Sequence, residues 1–498
     1  MPEQQTAYRQ IMKATSLFGG VQVFNIIISI IRAKVIAILL GPAGMGIAGM
    51  LTSTTGLISG LTNFGLGTSA VKDIAAANAS NNESRIAIIV TVLRRLVWIT
   101  GTLGTIVTLG LSPWLSELTF GNRKYTLAFA LISITLLFGQ LSSGQLVILQ
   151  GIRKLQYLAK ASIFGSITGL LLSLPLYYLY GIDGIVPAII FTSIASFLIS
   201  WYFGGKIKIE RIKLTSRKTL DEGKSMLIMG FVIALNGLIL MGSSYIVRIY
   251  INSTGGIEDV GLYSAGFAII NSYVGMVFSA MLTDYYPRLS AIAHDNKLCN
   301  QTINQQANIA LLIIAPIVIV FLVFIHIAVI ILLSNKFLAV TDMINWAMLG
   351  VFFKAAGWPI GFIFVPKGNS RLFLFSELAA NLYMLLFNIL GYHYFGLKGL
   401  GISFFVGYII YSIHVFLIAK IKYKFHFEDS FYAIFGVQFF LALCSFIAVK
   451  FLINPYNYFV GIVLISISIW YSIKELNKRL QLRDIFKNIT SKYLKKKY

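Results

Sequence analysis

The chain has 498 residues, of which 57% are hydrophobic and only 12% are charged, and its mean hydropathy is +0.79. Soluble globular proteins carry about 25% charged residues, so this composition excludes a water-soluble enzyme of this size. The apolar and aromatic content also excludes intrinsic disorder. Two cysteines, Cys299 and Cys444, are too few for a disulfide framework or a zinc site. The composition therefore predicts a polytopic helical membrane protein.

Many stretches of the chain are apolar and long enough to cross a bilayer, which takes about 20 residues per helix. We predict fourteen spans, at 15–38, 43–66, 88–112, 126–149, 157–180, 182–204, 225–250, 261–284, 307–333, 342–365, 371–394, 399–420, 431–453 and 456–473. These spans use most of the chain, so no soluble domain is expected. The N-terminal residues lack the short apolar core and small-residue cleavage site of a signal peptide.

The net charge of +23 is distributed unevenly between the two sides of the predicted membrane. Of the 41 Lys and Arg residues, six are assigned to span interiors, and the others are assigned to a side of the membrane together with those near span ends, namely Lys160, Arg371, Lys420 and Lys450. Five belong to the side of the connections after odd-numbered spans and 30 to the side of the two tails. The five are Arg123, Lys124, Lys336, Lys398 and Lys450. Under the positive-inside rule, this asymmetry predicts that both termini are cytoplasmic. Most of this charge is expected to orient the protein and to contact anionic membrane lipids, and nucleic acid is not expected as a partner.

Basic residues inside the spans are the strongest functional signal in the sequence. There are six, namely Arg32, Lys34, Arg94, Arg95, Arg248 and Lys354. A charged side chain at the bilayer centre costs about 2.5–3.5 kcal/mol on insertion scales, so such residues usually face a polar cavity. Arg94 and Arg95 lie near the cytoplasmic start of their span, where they can also extend to the membrane surface, and they are the weaker cavity candidates. The other four are predicted to line a hydrated cavity.

Acidic partners for these cations are scarce. Only Glu377 lies well inside a span, whereas Asp73, Asp284 and Asp342 lie at span ends. Internal ion pairs therefore cannot neutralise all six cations, and the sequence predicts an electropositive cavity that an anionic substrate completes. Glu377 and Asp284 are the candidates for coupling transport to an ion, although an ion pair or a helix cap is the commoner role for such carboxylates.

The two halves of the chain resemble each other at a constant offset. Gly46 and Gly261 each follow a short connection at the start of a span and are 215 residues apart, and GIDGI at 181–185 and GLKGL at 396–400 have the same offset. Spans 1–6 and 7–12 are therefore interpreted as two six-helix lobes of the same orientation, related by a parallel pseudo-two-fold repeat that favours alternating access. The predicted organisation is an N-lobe at 1–204, a basic cytoplasmic linker at 205–224, a C-lobe at 225–424, and two extra helices with a basic cytoplasmic tail at 425–498.

The sequence contains no recognisable catalytic or metal-binding motif. Gly223-Lys224-Ser225 resembles the end of a P-loop, but Lys218 stands where the first glycine of that motif is required. The five histidines are scattered, the first outer connection lacks the acidic residues of membrane glycosyltransferases, and the outer connections are short for a polymerase. The sequence therefore favours a transporter without cofactor or metal, and a membrane polysaccharide polymerase or glycosyltransferase is the alternative from the enzyme class.

Three segments resemble O-antigen translocases, the bacterial flippases of lipid-linked oligosaccharides. LLGPAGMG at 39–46 is similar to the signature after their first span, NFGLG at 63–67 to the end of their second, and LLSNKF at 332–337 to the segment before their tenth. Lys354 stands where that family also carries a basic residue, and Ser376-Glu377 resembles a later family position. The resemblance extends over most of the chain, from about residue 13 to residue 424.

The resemblance implies a member of the superfamily that also contains multidrug and toxin extrusion exporters and lipid II flippases. The implied substrate is a polyprenyl pyrophosphate carrying an O-antigen or related repeat unit for lipopolysaccharide biosynthesis. It would move from the cytoplasmic to the periplasmic leaflet of the inner membrane, with other polysaccharide-assembly membrane proteins as partners. Arg32, Lys34, Arg248 and Lys354 are then expected to bind the pyrophosphate. A lipid II-type flippase and a multidrug antiporter are the alternatives, but an antiporter for cationic drugs would need acidic cavity residues.

Overall fold

A computed structural model of the protein describes part of the chain in full atomic detail. The described backbone covers residues 2–80, 82–210 and 212–480, with side chains from residue 20 onward except at 232, 233, 236, 273, 283 and 480. Within these ranges the regular structure is entirely helical, and the prediction of an all-α membrane protein is confirmed. The basic tail predicted at the C-terminal end lies after residue 480, outside the described residues.

The chain divides into two compact units, the first of which runs to Ser264 and also includes Leu332–Lys336. Its helices are α1 (Pro2–Leu39), α2 (Gly41–Thr62), α3 (Leu66–Ala79), α4 (Glu83–Gly110), α5 (Ser112–Phe120), α6 (Thr126–Ile132), α7 (Ile134–Gly151), α8 (Leu155–Tyr180), α9 (Ile185–Gly205) and α10 (Ser216–Gly255). A 3-10 turn at Gly181–Gly184 joins α8 to α9. The core of this unit lies where α3, α4 and α7 meet, and it buries Ile74, Leu93 and Ile148.

The second unit comprises Ala265–Ile331 and the chain from Phe337 onward. Its helices are α11 (Ile257–Ala291), which begins in the first unit, α12 (Asn296–Leu332), α13 (Thr341–Gly361), α14 (Ser370–Tyr423), α15 (Asp429–Phe451) and α16 (Tyr456–Leu480). One of its cores surrounds the fully buried side chains of Tyr285 and Phe364. Large exposed hydrophobic side chains cover the helices of both units, as expected of surfaces that face lipid.

Nine helical stretches of the described chain are long and apolar enough to cross a membrane, or up to ten if a bent pair in α11 counts as one span. Two of them, Leu155–Gly205 and Ser370–Tyr423, have 51 and 54 residues. A helix rises 1.5 Å per residue and a bilayer core is about 30 Å thick, so each stretch is long enough for two crossings. Gly181 and Gly396, which are related by the 215-residue offset, have positive φ angles and interrupt these stretches.

The predicted spans agree with the helices, with one unexpected feature. Each of the fourteen predicted spans falls mainly on helical residues, although some spans cover two consecutive helices. Fourteen crossings are consistent with this arrangement, and the count itself stays a prediction. The predicted span at 43–66 ends at a break in which Phe64 and Gly65 have positive φ angles, and the chain continues directly as α3. The sequence motif NFGLG therefore marks a break between two helices.

The repeat-related glycines Gly46 and Gly261 lie against each other within the first unit. A Cβ atom at Gly46 would overlap the carbonyl oxygen of Ile257, and a Cβ atom at Gly261 would overlap that of Pro42. Neither position has room for a side chain, so the start of α2 and the first turns of α11 approach backbone to backbone. Such a contact between equivalent positions agrees with a pseudo-two-fold relation, while the limits of the predicted lobes stay a prediction.

Candidate functional site

Arg32 lies in a polar seam between α1 and α8. Asn25 donates a hydrogen bond of 2.9 Å to Ser162, and Arg32 lies over Gly169, so the two helices run side by side in the same direction. A methyl group at Gly169 would lie 2.8 Å from Nη2 of Arg32, and glycine therefore makes room for the guanidinium. Nε of Arg32 is buried and has no hydrogen-bond partner among the described residues. Arg32 is thus a partly buried cation with unused donor capacity.

Hydroxyl groups, rather than a carboxylate, surround the guanidinium of Arg248. Its Nη1 donates a hydrogen bond of 2.6 Å to Oγ of Ser244, and a longer contact of 3.5 Å joins its Nε to Oγ of Ser264. The guanidinium also lies 5.7 Å from the ring centroid of Tyr263, within cation–π range. In the described part of the chain, no Asp or Glu oxygen lies within 4 Å of its nitrogens. These neutral contacts orient Arg248 and leave its charge uncompensated.

The ammonium group of Lys354 in α13 lies between two aromatic rings. Its Nζ is 5.3 Å from the ring centroid of Phe278 in α11 and 5.4 Å from that of Tyr408 in α14. Both distances fall within the range of about 6 Å in which an aromatic face attracts a cation. Its Nζ has no carboxylate oxygen within 4 Å among the residues that the structure describes. The rings hold the positive charge in place without neutralising it.

Glu377 is connected to Lys354 through two tyrosines of α14. Oη of Tyr411 donates a hydrogen bond of 3.3 Å to Oε1 of Glu377, and the rings of Tyr411 and Tyr408 are 6.0 Å apart. Tyr408 therefore contacts both the Lys354 ammonium and the tyrosine that binds Glu377. Glu377 is partly buried, and no described Lys or Arg nitrogen lies within 4 Å of its carboxylate.

Several polar atoms around Glu377 have hydrogen-bonding capacity that the described residues do not use. Oγ of Ser376, Oη of Tyr383 and Nδ1 of His414 are buried and have no partner among those residues. The rings of Tyr383 and His414 are 6.2 Å apart, and Tyr383 is close enough to Glu377 to interact with it electrostatically. Buried polar atoms are rarely unpaired in proteins, so this region has the chemistry of a binding site rather than of an apolar helix contact.

Asp284, the other predicted coupling carboxylate, has a different environment. Its side chain is 83% exposed, and its Oδ2 lies 3.9 Å from Nε of Arg288, one turn further along α11. Arg288 also donates a hydrogen bond of 3.2 Å to Gln306. This arrangement is a surface ion pair. An ion pair is the commoner role that the sequence indicates as the alternative to ion coupling for Asp284.

The remaining predicted residues are partly buried side chains of α1 and α4. Nη1 of Arg95 donates a hydrogen bond of 2.7 Å to Oγ1 of Thr219 in the first turns of α10. This contact ties α4 to α10 and favours an anchoring role for Arg95 near the membrane surface. Lys34 and Arg94 are also partly buried.

The structure connects some of the predicted residues and not others. It joins Lys354 with Glu377 inside the second unit, whereas the described contacts of Arg32 and Arg248 share no residue. A common cavity for all four cations therefore stays a prediction. Phe278, Tyr408 and Tyr411 are site residues that the sequence did not indicate, because aromatic residues make up 14% of the chain and are frequent in its apolar helices.

Comparison with known proteins identifies the family. Residues 11–293, more than half of the chain, match the family described as polysaccharide biosynthesis protein. The chain belongs to this family. The lipid III flippase of Escherichia coli (strain K12) is 23% identical to this chain over 357 residues, which cover 70% of this chain and 83% of the relative.

Solved structures show the same fold. The lipid II flippase MurJ in an inward closed conformation matches with a TM-score of 0.70 and 14% identity, over 93% of this chain and 99% of MurJ. An inward-facing multidrug resistance MATE family transporter of the MOP superfamily matches with a TM-score of 0.64 and 16% identity, over 81% of this chain and 94% of that transporter. The predicted resemblance to lipid-linked oligosaccharide flippases is confirmed, and the chain is a multi-pass membrane protein with the fold of these structures.

Proposed function

We propose that this protein is a flippase that moves an oligosaccharide linked to polyprenyl pyrophosphate across a bacterial membrane. The observation that carries the proposal is that Arg32, Arg248 and Lys354 have no carboxylate partner. All three lie in apolar helices, and no described Asp or Glu oxygen is within 4 Å of their nitrogens. A pyrophosphate supplies the negative charge that these cations lack. The family of the chain and the flippase activity in the names of its relatives support the same class of cargo.

Arg32, Arg248 and Lys354 have different surroundings, and each suits a different kind of contact with a pyrophosphate group. A pyrophosphate group that crosses a bilayer loses hydration, and its attraction to fixed positive charges strengthens as the local dielectric constant falls. Arginine binds phosphate oxygens in bidentate geometry, which suits Arg32 with its unused Nε and Arg248 with its oriented guanidinium. Lys354 acts as a point charge, and Lys34 is the fourth pyrophosphate ligand in this proposal.

Alternating access is the proposed mechanism of transport. It uses the predicted lobes at 1–204 and 225–424, joined by the linker at 205–224, with the segment 425–498 as an addition to the second lobe. The sequence contains no ATP-binding motif, so the driving force is the substrate gradient or a coupled ion. Glu377 is the proposed coupling carboxylate, since hydroxyl groups and not a cation surround it. The exposed ion pair of Asp284 makes that residue the weaker candidate.

An O-antigen repeat unit or a related glycan is the proposed cargo, and it would move from the cytoplasmic to the periplasmic leaflet of the inner membrane with both termini in the cytoplasm. The orientation rests on the 30 basic residues predicted on one side and the five on the other. A lipid II-type or lipid III-type glycan fits the names of the relatives equally well. A multidrug antiporter has less support, because cationic drugs would be repelled by the same side chains.

A complementation experiment tests the proposed function. Arg32→Ala, Arg248→Ala and Lys354→Ala are each expressed in a strain that lacks its polysaccharide flippase, and surface polysaccharide is measured. Each variant is expected to insert normally in the membrane and to abolish the surface polysaccharide. Arg123→Ala is the matched control, because Arg123 is exposed and pairs with Glu117 at the protein surface. Normal polysaccharide in all three variants would contradict the proposal.

A second experiment separates coupling from binding. Glu377→Gln is expected to bind the lipid pyrophosphate as the wild type does, but to transport it slowly and without dependence on a proton or sodium gradient. Asp284→Asn serves as the control and is expected to behave as the wild type. Transport by Glu377→Gln that responds to an ion gradient like the wild type would exclude Glu377 as the coupling residue.

A further inference from the structure

A pocket of about 540 Å³ lies in the first unit, and none of the candidate functional residues lines it. Side chains of α2, α6 and α9 line it, and its walls are largely apolar. Among the wall residues are Leu51 of α2, Leu131 of α6 and Phe191 of α9. The volume falls in the range of about 300–1,000 Å³ that is typical of small-molecule sites. The shape and lining therefore suit an apolar chain rather than a sugar or a free ion.

Two side chains of opposite charge complete the lining of this pocket. Lys124 precedes α6 and Asp183 precedes α9, and both are exposed. Within the described part of the chain, neither residue forms an ion pair with the other or with a third residue. Tyr125 also lines the pocket, where burial and then the negative charge of Asp183 raise its pKa. The two charges are thus held beside an apolar wall without neutralising each other.

The charges lie where a lipid headgroup would lie. Lys124 is in the connection between the third and fourth predicted spans, and Asp183 is in the 3-10 turn at the start of the sixth predicted span. The predicted topology therefore puts both residues at the same membrane surface. Leu131 and Phe191 are further along the helices that start at these connections. The pocket therefore has two charges at the membrane surface and apolar walls that extend toward the bilayer interior.

We propose that this pocket binds one zwitterionic aminophospholipid, whose phosphate contacts Lys124 and whose ammonium contacts Asp183, with an acyl chain against the apolar walls. Charge complementarity selects this occupant. An anionic phospholipid without an ammonium group would satisfy Lys124 but leave Asp183 facing a negative headgroup. The inference is independent of the transported cargo, because neither residue is among the proposed pyrophosphate ligands.

The second copy of the repeat provides a matched control. Asp183 in GIDGI at 181–185 corresponds to Lys398 in GLKGL at 396–400, so the equivalent position carries the opposite charge. The carboxylate that would recognise the ammonium is absent at that position. Lys398 therefore tests whether removal of any lysine from this side of the protein changes lipid binding.

Native mass spectrometry of the full-length protein with equimolar phosphatidylethanolamine and phosphatidylglycerol tests the proposal. The wild type is expected to retain one phosphatidylethanolamine with about five-fold preference, which corresponds to about 1 kcal/mol. Asp183→Asn is expected to lose this preference, Lys124→Met to retain neither lipid above background, and Lys398→Met to behave as the wild type. Equal retention of both lipids by the wild type would overturn the proposal, as would an equal loss in Lys124→Met and Lys398→Met. The comparison of the two lipids on the wild-type protein tests the proposal even if a variant does not fold.

Discussion

Arg248 and Lys354 are both cations inside apolar helices, and the protein stabilises them in different ways. Arg248 has hydroxyl groups in hydrogen-bonding positions around its guanidinium, whereas the Lys354 ammonium lies between the faces of Phe278 and Tyr408. Hydroxyl groups fix the orientation of a planar guanidinium and accept hydrogen bonds that water would otherwise accept. Aromatic rings attract an ammonium but provide no hydrogen-bond acceptor for its protons. We therefore expect Lys354 to depend more on an external anion than Arg248 does.

The largest expected effect is at Lys354. Lys354→Met keeps much of the side-chain length but removes the charge, and it is expected to weaken binding of a polyprenyl pyrophosphate by about 10- to 100-fold, since hydrogen bonds to charged groups contribute about 1.5–3 kcal/mol. Lys354→Arg should retain part of the affinity because the rings also attract a guanidinium. Equilibrium binding to the purified protein measures both values. Wild-type affinity in Lys354→Met would show that Lys354 has only a structural role.

Replacement of Arg248 is expected to have a smaller effect. Arg248→Ala should weaken pyrophosphate binding by about 10-fold, and Arg248→Lys should restore only part of the loss, because a point charge lacks the bidentate geometry of the guanidinium. The same binding measurement applies, with Arg123→Ala as an arginine control at the surface. If Arg248→Lys binds as tightly as the wild type, the guanidinium geometry has no role in recognition.

The aromatic enclosure of Lys354 gives an intermediate prediction. Tyr408→Leu removes one of the two rings and is expected to lower transport by about 3- to 10-fold, because a cation–π contact contributes about 0.5–2 kcal/mol. Tyr408→Phe keeps the ring and should transport nearly as the wild type does. Transport of a labelled lipid pyrophosphate into vesicles distinguishes the two. Equal loss in both variants would assign the effect to the hydroxyl group of Tyr408 and not to its ring.

The smallest effect is expected at Ser244. Ser244→Ala removes the 2.6 Å hydrogen bond to Arg248 but leaves the charge in place. The contact of Ser264 with Arg248 remains, so a net loss of about 0.5–1 kcal/mol is expected, which corresponds to about 2- to 5-fold in affinity. Ser290→Ala, at an exposed serine that bonds only to its own helix, is the control. A loss as large as that of Arg248→Ala would mean that Ser244 itself contacts the substrate.

The sequence predicted the helices better than it predicted the environment of the charges. Apolar segment length and the distribution of Lys and Arg are local properties, so they located the spans and the six embedded cations. Tyr408 contacts Lys354, which is 54 positions earlier in the chain, and Tyr411 contacts Glu377. A local sequence pattern cannot predict which distant residues come into contact. The sequence placed the end of the second span at residue 66, beside the break at Phe64 and Gly65, but it did not indicate that the chain continues directly as α3.

Headgroup selectivity tests the central claim most directly, namely that embedded cations bind a pyrophosphate. The affinity of the purified protein for a polyprenyl pyrophosphate is compared with that for the corresponding monophosphate, in the wild type and in the double variant Arg248→Ala/Lys354→Met. The wild type is expected to prefer the pyrophosphate by at least about 10-fold and the double variant to show no preference, because these side chains bind the additional phosphate charge. Equal affinity of the wild type for both lipids, or an unchanged preference in the double variant, would contradict this claim.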